Sequence, residues 1–254
     1  MRSGPFVVYA VWMSDPDPKA TTPDAPQLHH LRVRRTARYC TLGEEAGARS
    51  VWYVLHGYRQ LADRFIERFR EIATPHRLIV APEALNRFYL EDGPGAASGP
   101  HGAHSKVGAT WMTRHDREHE IEDYVAYLDA LDRSLRIPRG ARRVVVGFSQ
   151  GSATAARWAL LGRRRVDRLV MWGGVLPPDL PVEPRLRRLR RLGPLFVRSE
   201  QDAALPVERI DADVARLVAL GVGATSVRHG GGHTIGRDAL RDVARMVDPQ
   251  DVAG

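Results

Sequence analysis

The sequence predicts an α/β fold with a mostly parallel sheet and helices on both faces, and three observations carry that expectation. Short β-branched runs alternate along the chain with amphipathic stretches of helical period. Those runs are apolar almost without interruption, as in strands buried on both faces. The chain has 254 residues, 43% of them hydrophobic, which suffices for one sizeable core.

Taken in order, the elements follow from these patterns. The first apolar run, "FVVYAVWM" at 6–13, is far shorter than the roughly 20 residues of a membrane span. No small-residue cleavage site follows it. The polar, proline-rich "SDPDPKATTPDAP" comes next, so residues 1–28 are expected to form a disordered or extended segment and residues 29–254 a single domain. "LHHLRVRRTARYCTL" at 28–42 alternates polar and apolar residues and predicts one or two antiparallel edge strands. Buried strands are expected at 51–57, 77–82, 142–149, 168–174, 194–199 and 224–229, and helices at 61–73, 116–135, 152–161, 207–220 and 236–247. In "EPRLRRLRRLG" at 183–193, Leu186, Leu189 and Leu192 recur every third residue, giving a short helix whose arginines face water. Residues 91–109 are glycine-rich and too long for an ordinary connection, so they are expected to be an active-site loop.

The net charge of +8 raises a non-catalytic alternative, a protein that binds anionic partners through its arginines. Acidic residues are interspersed through most of the same segments, so no nucleic-acid partner is expected. Nothing in the chain calls for stable membrane insertion. Cys40 is the single cysteine, which excludes an internal disulfide and fits a reducing, cytoplasmic location. A homodimer is compatible with these features.

The chemistry is concentrated in "VVVGFSQGSATAARWAL" at 144–160. A strand runs into Gly147, Phe148, Ser149, Gln150 and Gly151, and a helix follows at once, the pattern of a nucleophile elbow. A serine hydroxyl is a weak nucleophile and needs a base held by a carboxylate, arriving in the order Ser, Asp or Glu, His. Asp202 stands in the loop after one strand, with Glu200 as the rival carboxylate. His233 follows Gly230, Gly231 and Gly232 just before a helix, with His229 at the strand end as the rival base. Two backbone amides can hold the oxyanion, that of Gln150 after the nucleophile and that of Tyr58 after the bend at Gly57. His56, before that bend, is expected to be structural. Trp111 and Met112, with Phe88 and Tyr89, are candidates for the wall of the acyl pocket, although aromatic residues at such spacing are more often core.

His115, Glu118 and His119 spell HxxEH, a zinc-protease motif if both histidines share a helix face. No third ligand with its own motif stands out downstream, and no metal is expected. Thr113 and Asp116 are read instead as a capping pair.

Together LHGY at 55–58, AP at 81–82, GFSQG at 147–151, Asp202 with Pro206 behind it, and GGH at 231–233 resemble the phospholipase/carboxylesterase family of α/β-hydrolases. That family includes acyl-protein thioesterases and small bacterial carboxylesterases. "GATWMTRHDREHEIEDYVAYLD" at 108–129 looks like a bacterial subgroup of predicted esterases. The resemblance implies an α/β-hydrolase fold without a large lid domain and a Ser149, Asp202, His233 triad. It also implies oxyanion amides from Tyr58 and Gln150, no cofactor, and a small-molecule ester substrate. The expected function is a serine hydrolase cleaving carboxylic esters, with thioesters as the alternative.

Overall fold

The structure, a computed structural model, describes residues 26–90 and 105–249. The chain divides into two units, one ending at Thr36 and one running from Ala37 onward. In the first, residues 26–36 form no helix or strand. Most of the expected N-terminal segment, and residues 91–104 of the expected active-site loop, lie outside the described residues.

In the second unit the strands are β1 (Tyr39–Leu42), β2 (Ser50–Leu55), β3 (Arg77–Pro82), β4 (Asn86–Tyr89), β5 (Val107–Thr110), β6 (Arg142–Phe148), β7 (Arg168–Trp172), β8 (Leu195–Arg198) and β9 (Thr225–Arg228). The α-helices are α1 (Ala62–Ile66), α2 (Arg117–Ser134), α3 (Gln150–Leu161), α4 (Leu186–Leu192), α5 (Val207–Ala219) and α6 (Arg237–Val247). Seven strands form one sheet in the order β1-β3-β2-β6-β7-β8-β9. Only β1 runs antiparallel, against β3, so a single edge strand of that kind opens the sheet.

The strands in the middle of the sheet bury both faces, and their side chains alternate between two core layers. Val51, Tyr53 and Leu55 of β2 join the layer that also holds apolar residues of α2, α3, α4 and α5. Trp52 and Val54 join the opposite layer with residues of α1 and α6. The helices therefore cover both faces, as expected of an α/β-hydrolase fold, and among the described residues no large lid interrupts it.

Two elements depart from expectation. The helix expected at 61–73 is α-helical only to Ile66 and continues as a 3₁₀ helix, Glu67–Ile72. Ile66, Phe69 and Ile72 are all buried, and a winding of three residues per turn stacks them in one row along the buried face. Residues 107–109, the end of the expected loop, belong to strand β5, which pairs with β4 in a separate two-stranded sheet.

Candidate active site

Ser149 sits between β6 and α3 at φ 54° and ψ −120°, a region a non-glycine residue occupies only under strain. The sharp turn brings backbones into direct contact. A Cβ on Gly147 would lie 2.2 Å from the Gly151 carbonyl oxygen, and one on Gly151 2.2 Å from that of Leu55. Both positions exclude any side chain. The Ser149 amide donates to the Trp172 carbonyl at 2.8 Å, and the buried Ser152 hydroxyl lies 2.8 Å from Gly147 O and 3.2 Å from Trp172 O. The start of α3 is thereby pinned to the ends of β6 and β7.

Asp202 and His233 meet at 2.7 Å, Oδ2 to Nδ1, with the carboxylate side chain 5% exposed and the imidazole 27%. The other carboxylate oxygen accepts the amides of Ala204 at 2.8 Å and Leu205 at 3.1 Å, which leaves Oδ2 for the ring. A carboxylate only accepts, so Nδ1 carries the proton and Nε2 presents a lone pair. The His233 ring lies 4.9 Å from that of Phe148, the residue before Ser149. No Ser149 Oγ–His233 hydrogen bond is formed in this arrangement.

Gly173 underlies the pair. It has φ +55°, and a Cβ there would stand 3.1 Å from His233 Cε1 and 3.3 Å from Asp202 Oδ2. Its neighbour Gly174 packs on Ser152 and on the Ser149 carbonyl. Neither glycine was singled out from the sequence, although two glycines closing a buried strand at the elbow's end of the sheet were a usable signal.

The rival residues lie elsewhere. Glu200 is 62% exposed and pairs with Arg228 at 2.9 Å. His229 accepts the Gly231 amide at 3.2 Å through Nδ1 and packs on Trp172, and burial holds its pKa below the ordinary histidine value. His56 is fully buried. Its Nε2 accepts the Ala84 amide at 3.1 Å, which leaves Nδ1 to donate to the Gly57 carbonyl at 2.7 Å. Burial pushes the pKa of His56 down. Its ring is a fixed brace, as expected.

The turn expected to hold an oxyanion is built around Gly57, whose added Cβ would be 3.3 Å from Ser149 Cβ. Among the described residues the amides of Tyr58 and Gln150 have no acceptor, whereas the Gly57 amide donates to Gln60 Oε1 at 2.8 Å. Arg59, at φ 69°, exchanges the next contact with Ala109: Arg59 N to Ala109 O is 2.9 Å, and Ala109 N to Gln60 O is 3.2 Å. The Gln150 side chain holds the following residues, accepting from Trp111 N at 3.1 Å and donating to Thr110 Oγ1 at 2.8 Å and Met112 O at 3.0 Å. Residues 109–112 are thus stapled between the oxyanion turn and the start of α3. Behind the turn, the buried Glu83 carboxylate takes Arg38 at 2.9 Å, Arg87 at 3.1 Å and the Ala62 amide at 3.3 Å.

Trp111 corrects a sequence expectation. It is 1% exposed and donates its indole N–H to the His56 carbonyl at 2.8 Å, so it belongs to the core beneath the site rather than to a pocket wall. Met112 is partly buried, its sulfur 3.3 Å from Arg157 Nη1. Phe88 instead stacks on the exposed Tyr58 ring at 5.4 Å, forming an aromatic rim beside the oxyanion turn.

The HxxEH residues do not share a helix face, because α2 begins at Arg117, after His115. Both histidines are exposed, and His119 Nδ1 is 2.9 Å from Asp116 Oδ1. The expected capping pair does not form either. Asp116 takes a left-handed conformation and makes no capping hydrogen bond, while Thr113 Oγ1 bonds the backbone of His115.

A family model described as "Serine hydrolase (FSH1)" matches residues 51–241, well over half of the chain and all three of Ser149, Asp202 and His233. No curated protein matches. Among solved structures, the chain is similar to esterase PE8, with 21% identity and a TM-score of 0.62 over 86% of this chain and 100% of that one. Acyl-protein thioesterase 2 of Zea mays is 16% identical with a TM-score of 0.64, covering 84% and 99%. A carboxylesterase of Mesorhizobium loti is 18% identical with a TM-score of 0.59, covering 83% and 93%. At these identities the likeness is one of fold.

Proposed function

The chain belongs to the FSH1 serine hydrolase family, and from that premise we propose that it hydrolyses carboxylic esters of small molecules through an acyl-enzyme on Ser149. The observation that carries this reading is the Asp202–His233 pair, 2.7 Å apart and seated on Gly173 beside the strained elbow serine.

In this mechanism Ser149 Oγ attacks the ester carbonyl as His233 Nε2 takes its proton, while Asp202 holds the tautomer and stabilises the imidazolium. The tetrahedral oxyanion rests on the amides of Tyr58 and Gln150, each such donor contributing about 3 kcal/mol. Collapse expels the alcohol, which leaves with the proton from His233. Water then adds to the acyl-enzyme, giving its proton to His233, and the acid departs as Ser149 recovers its hydrogen. The Ser149–His233 hydrogen bond forms when substrate binds, as catalytic hydrogen bonds often tighten in the complex.

Ser149→Ala is expected to abolish hydrolysis of p-nitrophenyl butyrate and labelling by a fluorophosphonate probe while leaving the circular-dichroism spectrum unchanged. Retained turnover would remove Ser149 from this role. A thioester can follow the same steps with a thiolate leaving group, a second reading favoured by the shared fold with an acyl-protein thioesterase, and paired ester and thioester substrates separate the two. Salt-dependent retention on a polyanion without probe labelling would instead favour the non-catalytic reading. The proposal takes residues 29–254 as one catalytic domain. Cytoplasmic residence is supported by the single Cys40, and sedimentation is the measure of the homodimer.

A further inference from the structure

An arginine-lined groove of about 550 Å³ opens beside the His233 loop, between the Ala62–Ile72 helical segment and α6. Arg64, Arg68, Arg70 and Arg237 line it together with the carboxylates Glu67 and Glu71. Most charges around it are already matched. Arg70 pairs with Glu67, and Glu71 pairs with Arg241 and lies 4.0 Å from Arg237. Arg64 and Arg68 have no carboxylate partner among the described residues, and the one side-chain contact of Arg68 is from Nη1 to Thr234 Oγ1 at 3.3 Å.

Position ties this groove to the chemistry. Thr234 follows His233, and its carbonyl accepts the Trp172 indole N–H at 2.9 Å, so the loop that carries the base is fixed against β7. Phe65, between the two arginines in the chain, lies 6.2 Å from Phe148, whose ring is 4.9 Å from His233. Arg64 and Arg68 are four residues apart on continuous helical backbone and line the same wall. Two exposed guanidinium groups without a carboxylate partner among the described residues, one of them in contact with the residue after His233, suit a fork-like grip on a planar or tetrahedral oxyacid.

We infer that the enzyme selects esters that carry an anionic oxyacid group, a carboxylate or a phosphate, bound by Arg64 and Arg68 while the ester carbonyl meets Ser149. The inference rests on the ester-hydrolase reading above. Its test compares kcat/KM for phenyl butyrate with that for its 4-carboxylate and 4-phosphate derivatives, which carry the charge on the alcohol side, and with phenyl hydrogen glutarate, which carries it on the acyl side. At least one charged ester is expected to be favoured about tenfold, the worth of one partly exposed charge-assisted contact. That ratio is expected to fall toward one in R64Q/R68Q, to survive in part in R64K/R68K, and to shrink as salt rises from about 0.05 to about 0.5 M. Equal rates for neutral and charged esters, or a preference that survives R64Q/R68Q, would overturn the inference and leave the hydrolase reading intact. Failure to turn over any ester would overturn the hydrolase reading. In that case saturable glutarate binding to Ser149→Ala protein, lost in R64Q/R68Q, supports the groove, and no binding overturns it.

Discussion

Gly173→Ala separates the geometry of the Asp202–His233 pair from general stability. The new methyl group would stand 3.1 Å from His233 Cε1, 3.2 Å from Nδ1 and 3.3 Å from Asp202 Oδ2, so the imidazole and carboxylate must give way by a few tenths of an ångström. Since about 1 Å of misplacement costs about 100-fold in rate, that shift is worth about 3- to 10-fold in kcat. The left-handed backbone adds about 1–2 kcal/mol of strain, which lowers the melting temperature by about 2–8 °C for a chain of this size. Gly193→Ala is the matched control. It has φ +50° at the opposite end of β8 from Asp202, and its Cβ would meet the flexible guanidinium end of Arg168 at 3.2 Å and the Gly223 carbonyl at an ordinary 3.7 Å, so it should lose similar stability with kcat unchanged. Steady-state hydrolysis of p-nitrophenyl butyrate beside thermal melts reads both. Equal kcat in the two variants would show that Gly173 does not support the catalytic pair.

Asp202→Asn is expected to lower kcat by about 10³- to 10⁴-fold with little change in KM, while Glu200→Gln, at an exposed ion pair, stays within about twofold of the parent; the reverse order would move the acid of the triad. Burial lowers the pKa of His56 and His229, so the unfolded chain, with ordinary histidines near about 6.5, binds more protons than the folded one as the solution is acidified. Their contribution to stability is therefore complete above about pH 6.5 and is lost as the pH falls below it, and melting curves from pH 7 to 5 should show this limb, flattened in His56→Gln. An unchanged slope in that variant would count against the buried neutral imidazole. Gln150→Leu removes the partners of Trp111 N, Thr110 Oγ1 and Met112 O, a loss of about 2–3 kcal/mol; an unmoved urea midpoint would show that residues 109–112 are held by other contacts.

Features written in adjacent positions were legible in the sequence. The strand, glycine-flanked serine and helix of the elbow lie within one stretch, and the Gly230–Gly232 run announced a loop able to carry His233. Contacts between distant segments were not legible. The Gln150 side chain acts on residues 38–40 positions away, and Gly173 matters because Asp202 and His233 close over it. Trp111 shows the limit most clearly. An aromatic residue after a long loop reads as pocket wall or, more often, as core, and here its indole is held by a hydrogen bond to His56, 55 residues earlier. Residues 61–73 differ for another reason, since a helical apolar stripe does not separate α from 3₁₀ winding.

Because β2, β6, β7, β8 and β9 run parallel, their carboxyl ends emerge together, and each leads into one part of the site: the Tyr58 turn, Ser149, Gly173, the Asp202 loop and the His233 loop. The amino ends carry none of it. A substitution at the amino end of a strand is thereby expected to act through packing, and one at the carboxyl end through the site as well. A change of length or charge in a loop at that edge would alter what the site meets, while the sheet still sets the distances between its parts.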